Sequence, residues 1–333
     1  MKKALTLLLV LCLMLPLCAL AAEKPCKLRF DGTNHVSYIG YKSYIHMIVN
    51  TNGTMTSADT VELKNQYGEV LASKAYKPYS GKFTFTLELD ESFLGGHDLS
   101  VWHGDQLVST NTTYLAVTDK HKKAIQTVDT DQPYMSLSFD CAYDDSNTDA
   151  LLSLLDQMNI KATFFMTGSF LSNFPESAKK IADAGHEIGC HSMTHPHMRT
   201  ISMNAKYYQV RQNAQLVRDV LGVNPRLFRP PFGEFDPEVS APARAEGMEV
   251  CMWSIDSHDW DYAYNAVGVL RRVTRNVGPG TIILFHLDGQ YTVDILPDAV
   301  AHYRDELGLE LVPITELLAI GGVELPALPR DLQ

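Results

Sequence analysis

Five apolar runs beyond residue 133 of this 333-residue chain stop on residues that do acid–base or metal chemistry. Asp140 follows Ser138-Phe139, His191 follows Ile188-Gly189-Cys190, and Arg229 follows Leu227-Phe228. Asp256 follows Ser254-Ile255, and His286 follows Ile283-Leu284-Phe285. A carboxylate takes protons, an imidazole gives or takes them near neutrality, and a fixed guanidinium keeps a carboxylate ionised. His195 stands four residues after His191. Two imidazoles so spaced share one face of a helix or are gathered by a short turn. Pro196 disfavours a helix through the pair, so a loop after a strand is expected. With a carboxylate, two such histidines would bind zinc or a similar ion and leave positions open, as a catalytic site needs.

The elements around these residues alternate between strand and helix. Strands are expected near 134–139, 162–166, 187–190, 226–228, 249–255, 281–285 and 310–313. Between them, Asn147 or Thr148 caps a helix, Pro175 opens one that Gly185 closes, and Ser202 caps a long one ending at Gly222. Roughly seven βα units imply a parallel sheet, closed or nearly closed into a barrel. Chemistry in such a barrel collects where strands end and loops begin, which is where all five residues fall.

The first part of the chain has a different rhythm. Between 23 and 119, short alternating stretches such as Lys82-Phe83-Thr84-Phe85-Thr86-Leu87-Glu88 are separated by Asn52-Gly53, Gly95-Gly96 and Gly104-Asp105. This predicts an all-β, immunoglobulin-like sandwich. It carries no constellation of catalytic groups and is expected to serve as a spacer or glycan-binding module. Residues 120–132 are polar and are expected to link it to a domain spanning 133–320, with a tail over 321–333. Lys2 and Lys3, the apolar run to Leu20 and the small residues around Ala21 predict a secretory leader over 1–22. Cys12 and Cys18 leave with it. Cys26, Cys141, Cys190 and Cys251 show no CxxC spacing, so neither a structural zinc site nor a disulfide framework is expected. A formal net charge of −11 argues against a nucleic-acid partner.

The region from about Tyr134 to Leu318 resembles the polysaccharide deacetylases with a NodB-type domain, carbohydrate esterase family 4. The resemblance rests on Ser138-Phe139-Asp140, His191-Ser192-Met193-Thr194-His195-Pro196, Arg229-Pro230-Pro231-Phe232-Gly233, Asp256-Ser257-His258-Asp259-Trp260 and Leu284-Phe285-His286, in that order. It implies a distorted (β/α)7 barrel, with His191 and His195 as metal ligands, zinc being the expected ion. It implies Asp140 as the catalytic base, Arg229 as its partner, and the Phe232 backbone amide as an oxyanion donor. His286 would be the general acid, Asp256 the carboxylate that orients it, and Trp260 a wall for acetyl group or sugar. Family members place a second Asp after the base as a further metal ligand; Cys141 stands there instead. Asp144 and Asp145 lie in the same loop as candidates to replace it, Asp145 being preferred.

The implied activity is metal-dependent hydrolysis of N-acetyl groups on an amino-sugar polymer such as peptidoglycan or chitin, in a secreted or wall-associated protein with no membrane span after leader removal. An O-acetyl esterase of xylan type and a catalytically degenerate glycan-binding protein are the alternatives. The sequence specifies no protein partner.

Overall fold

A computed structural model describes residues 26–32, 34–77 and 81–333; the expected leader lies outside them. The central strand, Tyr134–Cys141, shows how the sequence positions the site. Met135, Leu137, Phe139 and Cys141 face a helix-covered hydrophobic core. Ser136, Ser138 and Asp140 take the opposite, inner face, where Ser136 donates to the Val312 carbonyl and Ser138 to that of Ile283. Strand side chains alternate, so the same parity carries Leu227 to Arg229 and Ile282 to Leu284 and His286.

Seven strands pair in the order Glu249–Val250, Leu227–Phe228, Glu187–Cys190, Thr163–Met166, Tyr134–Cys141, Ile282–His286 and Ile255–Asp256. Every neighbouring pair is parallel. An eighth strand, Glu310–Leu311, pairs with the start of Tyr134–Cys141. The sheet curls with helices outside it, an α/β architecture. Within it, Gly189 is required by close packing: a Cβ there would sit 2.6 Å from the Phe165 ring and 3.3 Å from the Leu227 carbonyl oxygen.

The single strand expected over 249–255 is two short ones, Glu249–Val250 and Ile255–Asp256, that do not pair with each other. The intervening backbone has other partners. Ile125 N–H donates to the Val250 carbonyl and the Met252 N–H donates to that of Ile125. Residues 120–132 are therefore tied to the barrel: Ala124 and Val128 are buried, and the Val128 N–H donates to the Gly280 carbonyl. Their polar sequence marked a linker because the packing rests on a few small apolar side chains and on backbone bonds.

The preceding residues form two sheets. One contains Lys27–Phe30, Lys42–Thr51 and Lys82–Glu88; the other runs His35–Tyr38, Thr113–Thr118, Gly95–His103, Thr60–Lys64, Val70–Ala75, with Gln106–Leu107 beside Gly95–His103. In Lys82–Glu88 the alternation is explicit: Phe83, Phe85 and Leu87 are buried between exposed Lys82, Thr86 and Glu88. Residues of both sheets, among them Leu28, Ile45, Phe85, Leu63, Val101 and Leu115, share one core, so the sheets pack face to face. Cys26, Cys141, Cys190 and Cys251 are all buried free thiols, and burial pushes each above its ordinary pKa. Among the described residues, no helix is long and apolar enough to cross a membrane.

Tyr207, from the helix Met203–Leu221, joins the two parts. Its buried hydroxyl donates to the His35 carbonyl (2.7 Å) and accepts from the Ala116 N–H (3.2 Å), while its ring packs edge-on against Tyr114. Tyr207→Phe leaves both backbone groups without that partner and should cost about 1–3 kcal/mol in denaturant unfolding. Unchanged stability would show that the hydroxyl contributes nothing to the junction.

Candidate active site

Asp140, His191, His195, Phe232, Asp256, Trp260 and His286 line one cavity of about 340 Å³, at the end of the barrel where the strands terminate. Asp140 and His286 stand opposite each other in register on adjacent strands. Arg229 lies beneath them, fully buried. Its Nη1 donates to Asp140 Oδ1 (2.8 Å), its Nη2 to Ser138 Oγ and the Met252 carbonyl (both 2.9 Å), and its Nε to the Cys251 carbonyl (3.3 Å). The guanidinium also covers the Phe165 ring at 4.0 Å. Burial alone would raise the Asp140 pKa; the positive charge around it, of which the Arg229 guanidinium is the permanent part, outweighs burial and holds the carboxyl below its usual range.

The histidine pair sits in a loop. His191 Nδ1 lies 2.7 Å from the Arg229 carbonyl oxygen, which can only accept, so Nδ1 carries the proton. Burial lowers the His191 pKa, and burial together with His191 lowers that of His195 to about 4, so both rings are neutral near pH 7. His191 Nε2 then presents a bare lone pair to Asp140 Oδ2 at 3.3 Å. Two acceptors facing each other repel unless a cation lies between or beside them, so these groups suit a metal ion. His195 follows, its ring centroid 4.9 Å from that of His191 and its Nδ1 2.9 Å from the Tyr143 hydroxyl. Gln209 fixes the loop by accepting from the Met193 and Thr194 N–H groups (both 2.9 Å).

The third ligand is where expectation and structure part. Asp145 does not line the cavity: its Oδ2 accepts from the Ser177 hydroxyl at 2.6 Å, which turns it toward the helix Pro175–Asp183. Asp144 is occupied by the Ser146 N–H. The Cys141 thiol falls on the outer face of its strand, in the core. Among the described residues, no group of three or more His, Cys, Asp or Glu side chains is arranged to hold a metal. The donors present are two imidazoles beside the Asp140 carboxylate, an incomplete set by the standard of three-ligand catalytic zinc.

A second correction concerns His286. The carboxylate bonded to its Nδ1 is Asp259 Oδ1 (2.7 Å), not Asp256. Asp256 faces the cavity but spends Oδ1 on the His258 N–H. Asp259 is buried and held by the His286 N–H (2.8 Å) and the Thr292 hydroxyl (2.5 Å). Gly289 makes room for it, since a Cβ there would run into this carboxylate. Burial pulls the His286 pKa down, but the Asp259 hydrogen bond and the charges of Asp259, Asp140 and Asp256 prevail and raise it to about 9. Asp259 stands in the same Asp256-Ser257-His258-Asp259-Trp260 run, where position in the sequence does not separate the two carboxylates.

Phe232 and Trp260 form the rim, each 53% exposed, and Tyr143 is more exposed still. Phe232 stacks on His197 (centroids 4.1 Å apart) and meets His195 edge-on, while Trp260 stacks on His258. Trp253 is partly buried and lines the cavity. Ser192, His195, Phe232 and His258 all have positive φ, between 55° and 69°. Non-glycine residues reach that region at a cost, and such residues gather where surrounding bonds impose a functional shape.

Residues 127–251 match the family described as polysaccharide deacetylase. The peptidoglycan-N-acetylglucosamine deacetylase PgdA of Listeria monocytogenes is 33% identical over 183 residues, 55% of this chain and 38% of the relative. The peptidoglycan-N-acetylmuramic acid deacetylase PdaC of Bacillus subtilis is 29% identical over 192 residues, 58% of this chain and 40% of the relative. The chain thus spans less than half the length of either. A crystal structure of a mutant of BA3943 from Bacillus anthracis, described as a CE4 family pseudoenzyme with restored enzymatic activity, superposes with a TM-score of 0.58 at 26% identity, covering 68% of this chain and 87% of the other.

Asp259→Asn should lower the His286 pKa, because the charge that favours the imidazolium is removed. In the wild-type protein the stabilisation from this pair is full below about 6.5 and is lost as pH rises through about 9. An NMR titration of the His286 ring reads the midpoint directly; the same midpoint in both proteins would remove Asp259 from this role.

Proposed function

We propose that the protein, whose barrel belongs to the polysaccharide deacetylase family, hydrolyses N-acetyl groups on an amino-sugar polymer of peptidoglycan type, outside the cytoplasm. The observation that supports this most is the pairing of an ionised carboxylate, Asp140, with a protonated imidazole, His286, on neighbouring strands over one cavity. Amide hydrolysis needs a base for the water and an acid for the departing nitrogen, and two groups with pKa values pushed apart supply both. A cavity of about 340 Å³ with an aromatic rim accepts an acetamido group and a sugar ring face.

In this reading Arg229 fixes Asp140 through Oδ1, leaving Oδ2 to accept a proton from water as its oxygen attacks the acetyl carbon. The Phe232 N–H, behind Pro230 and Pro231, donates to the carbonyl oxygen as negative charge develops there. The Nε2 proton of His286 passes to the nitrogen as the C–N bond breaks, leaving acetate and a free amine, while Asp259 keeps the ring oriented. A divalent ion held by His191 and His195, zinc by donor type, would polarise the carbonyl and acidify water. With two imidazoles and no further dedicated ligand among the described residues, such an ion would bind more weakly than at a three-ligand site. Trp260 and Phe232 supply the walls of the substrate cleft.

The buried Cys141 favours one other reading, a glycan-binding protein that has lost turnover. Acetate release from N-acetylglucosamine oligomers and from peptidoglycan, with and without added zinc, decides between them. Deacetylation predicts release that rises with metal and saturates only at high metal concentration; glycan binding with no acetate under any divalent metal would leave the second reading standing. Asp140→Asn and His286→Ala should each lower turnover by at least about 10²-fold with the circular dichroism spectrum unchanged. Cys141→Ala should leave the metal dependence as it is, since the thiol faces the core.

A further inference from the structure

A second and larger cleft, of about 1090 Å³, opens on the flank of the barrel along the strand Ile255–Asp256. Arg271, Arg272 and Arg275 line it, from the last turn of the helix Ala266–Val273 and the residues just after it. Asp256 lines both openings, but the rest of the cleft is built by Thr127, Ser254, Gly278, Pro279 and Thr281, at the starts of the strands whose far ends carry the active site. Arg272 is anchored: its Nε donates to the Asp256 carbonyl and its guanidinium packs over the Tyr264 ring. Arg271 and Arg275 are exposed and form no ion pair among the described residues. Asp256 is the one acid among the lining residues, and its Oδ1 is occupied by the His258 N–H. A helix C-terminus accounts for a basic residue or two. It does not account for three guanidiniums around one large cleft in a chain of formal charge −11.

We propose that this cleft binds an oxyanion, carboxylate or phosphate, carried by an acidic wall polymer. Guanidinium forks match both anions bidentately. Such a cleft favours acidic over neutral glycans. That the polymer is of wall type rests on the function proposed above; the anion site itself rests on the arginines.

The experiment measures equilibrium binding at low and high salt for wild-type protein and for Arg271→Gln/Arg275→Gln. The probes are a muramic-acid-containing oligosaccharide, bearing carboxylates; poly(glycerol phosphate), bearing phosphates; and a neutral N-acetylglucosamine oligomer. The double variant should bind at least one acidic probe about tenfold or more weakly at low salt, with the difference fading at high salt, while the neutral oligomer binds equally. Loss confined to one acidic probe identifies the anion. Arg271→Lys/Arg275→Lys should recover part of the affinity, which separates charge from fold damage. Equal affinity of wild type and the Gln variant for both acidic probes, or no wild-type binding to either, overturns the proposal. If acidic probes bind as expected while no acetate is released from any substrate, the anion site stands and the deacetylase reading falls.

Discussion

The buried guanidinium of Arg229 holds the site together. Every nitrogen of its fork has a partner: the Asp140 carboxylate, the Ser138 hydroxyl, and the carbonyls of Cys251 and Met252. A buried charge left unpaired costs several kcal/mol, so the groups that surround it must stay where they are. The two carbonyls belong to the stretch where the sheet fails to close. One side chain thus spans the open edge of the barrel and aims the carboxylate on its central strand. Its own carbonyl oxygen, in turn, orients the His191 ring. Base, candidate metal ligand and barrel edge are linked through a single residue.

Around that anchor the two halves of the site are built differently. On the Asp140 side, regular strands give side-chain direction by parity alone, and the chemistry needs no special backbone. On the His195, Phe232 and His258 side, loops hold left-handed conformations that non-glycine residues reach only under constraint. Gln209, Ser192 and the two prolines supply part of that constraint. The rigid half carries proton transfer; the strained half shapes the walls.

Much of this was legible in the sequence because apolar runs ending in Asp, His or Arg mark strand ends, and strand ends in a parallel barrel share one mouth. Parity then decides which side chains point inward. What escaped was decided by contacts at long range. Asp145 looked available, but its direction depends on Ser177, 32 residues later on another helix. Asp256 ends a strand and Asp259 lies in the loop after it, and only the fold of 256–260 shows that the second reaches His286. The 249–255 run has the composition of a strand; its break depends on Ile125 and Arg229, which periodicity within the run does not contain.

The four buried thiols bear on how the protein matures. None is paired, and each sits where its thiolate is disfavoured. A thiol that does not ionise is a poor target for oxidants and a poor partner in exchange. The described part of the chain can therefore reach its native state with no oxidative folding step or isomerase, and once folded it keeps the same covalent structure in reducing and oxidising surroundings alike.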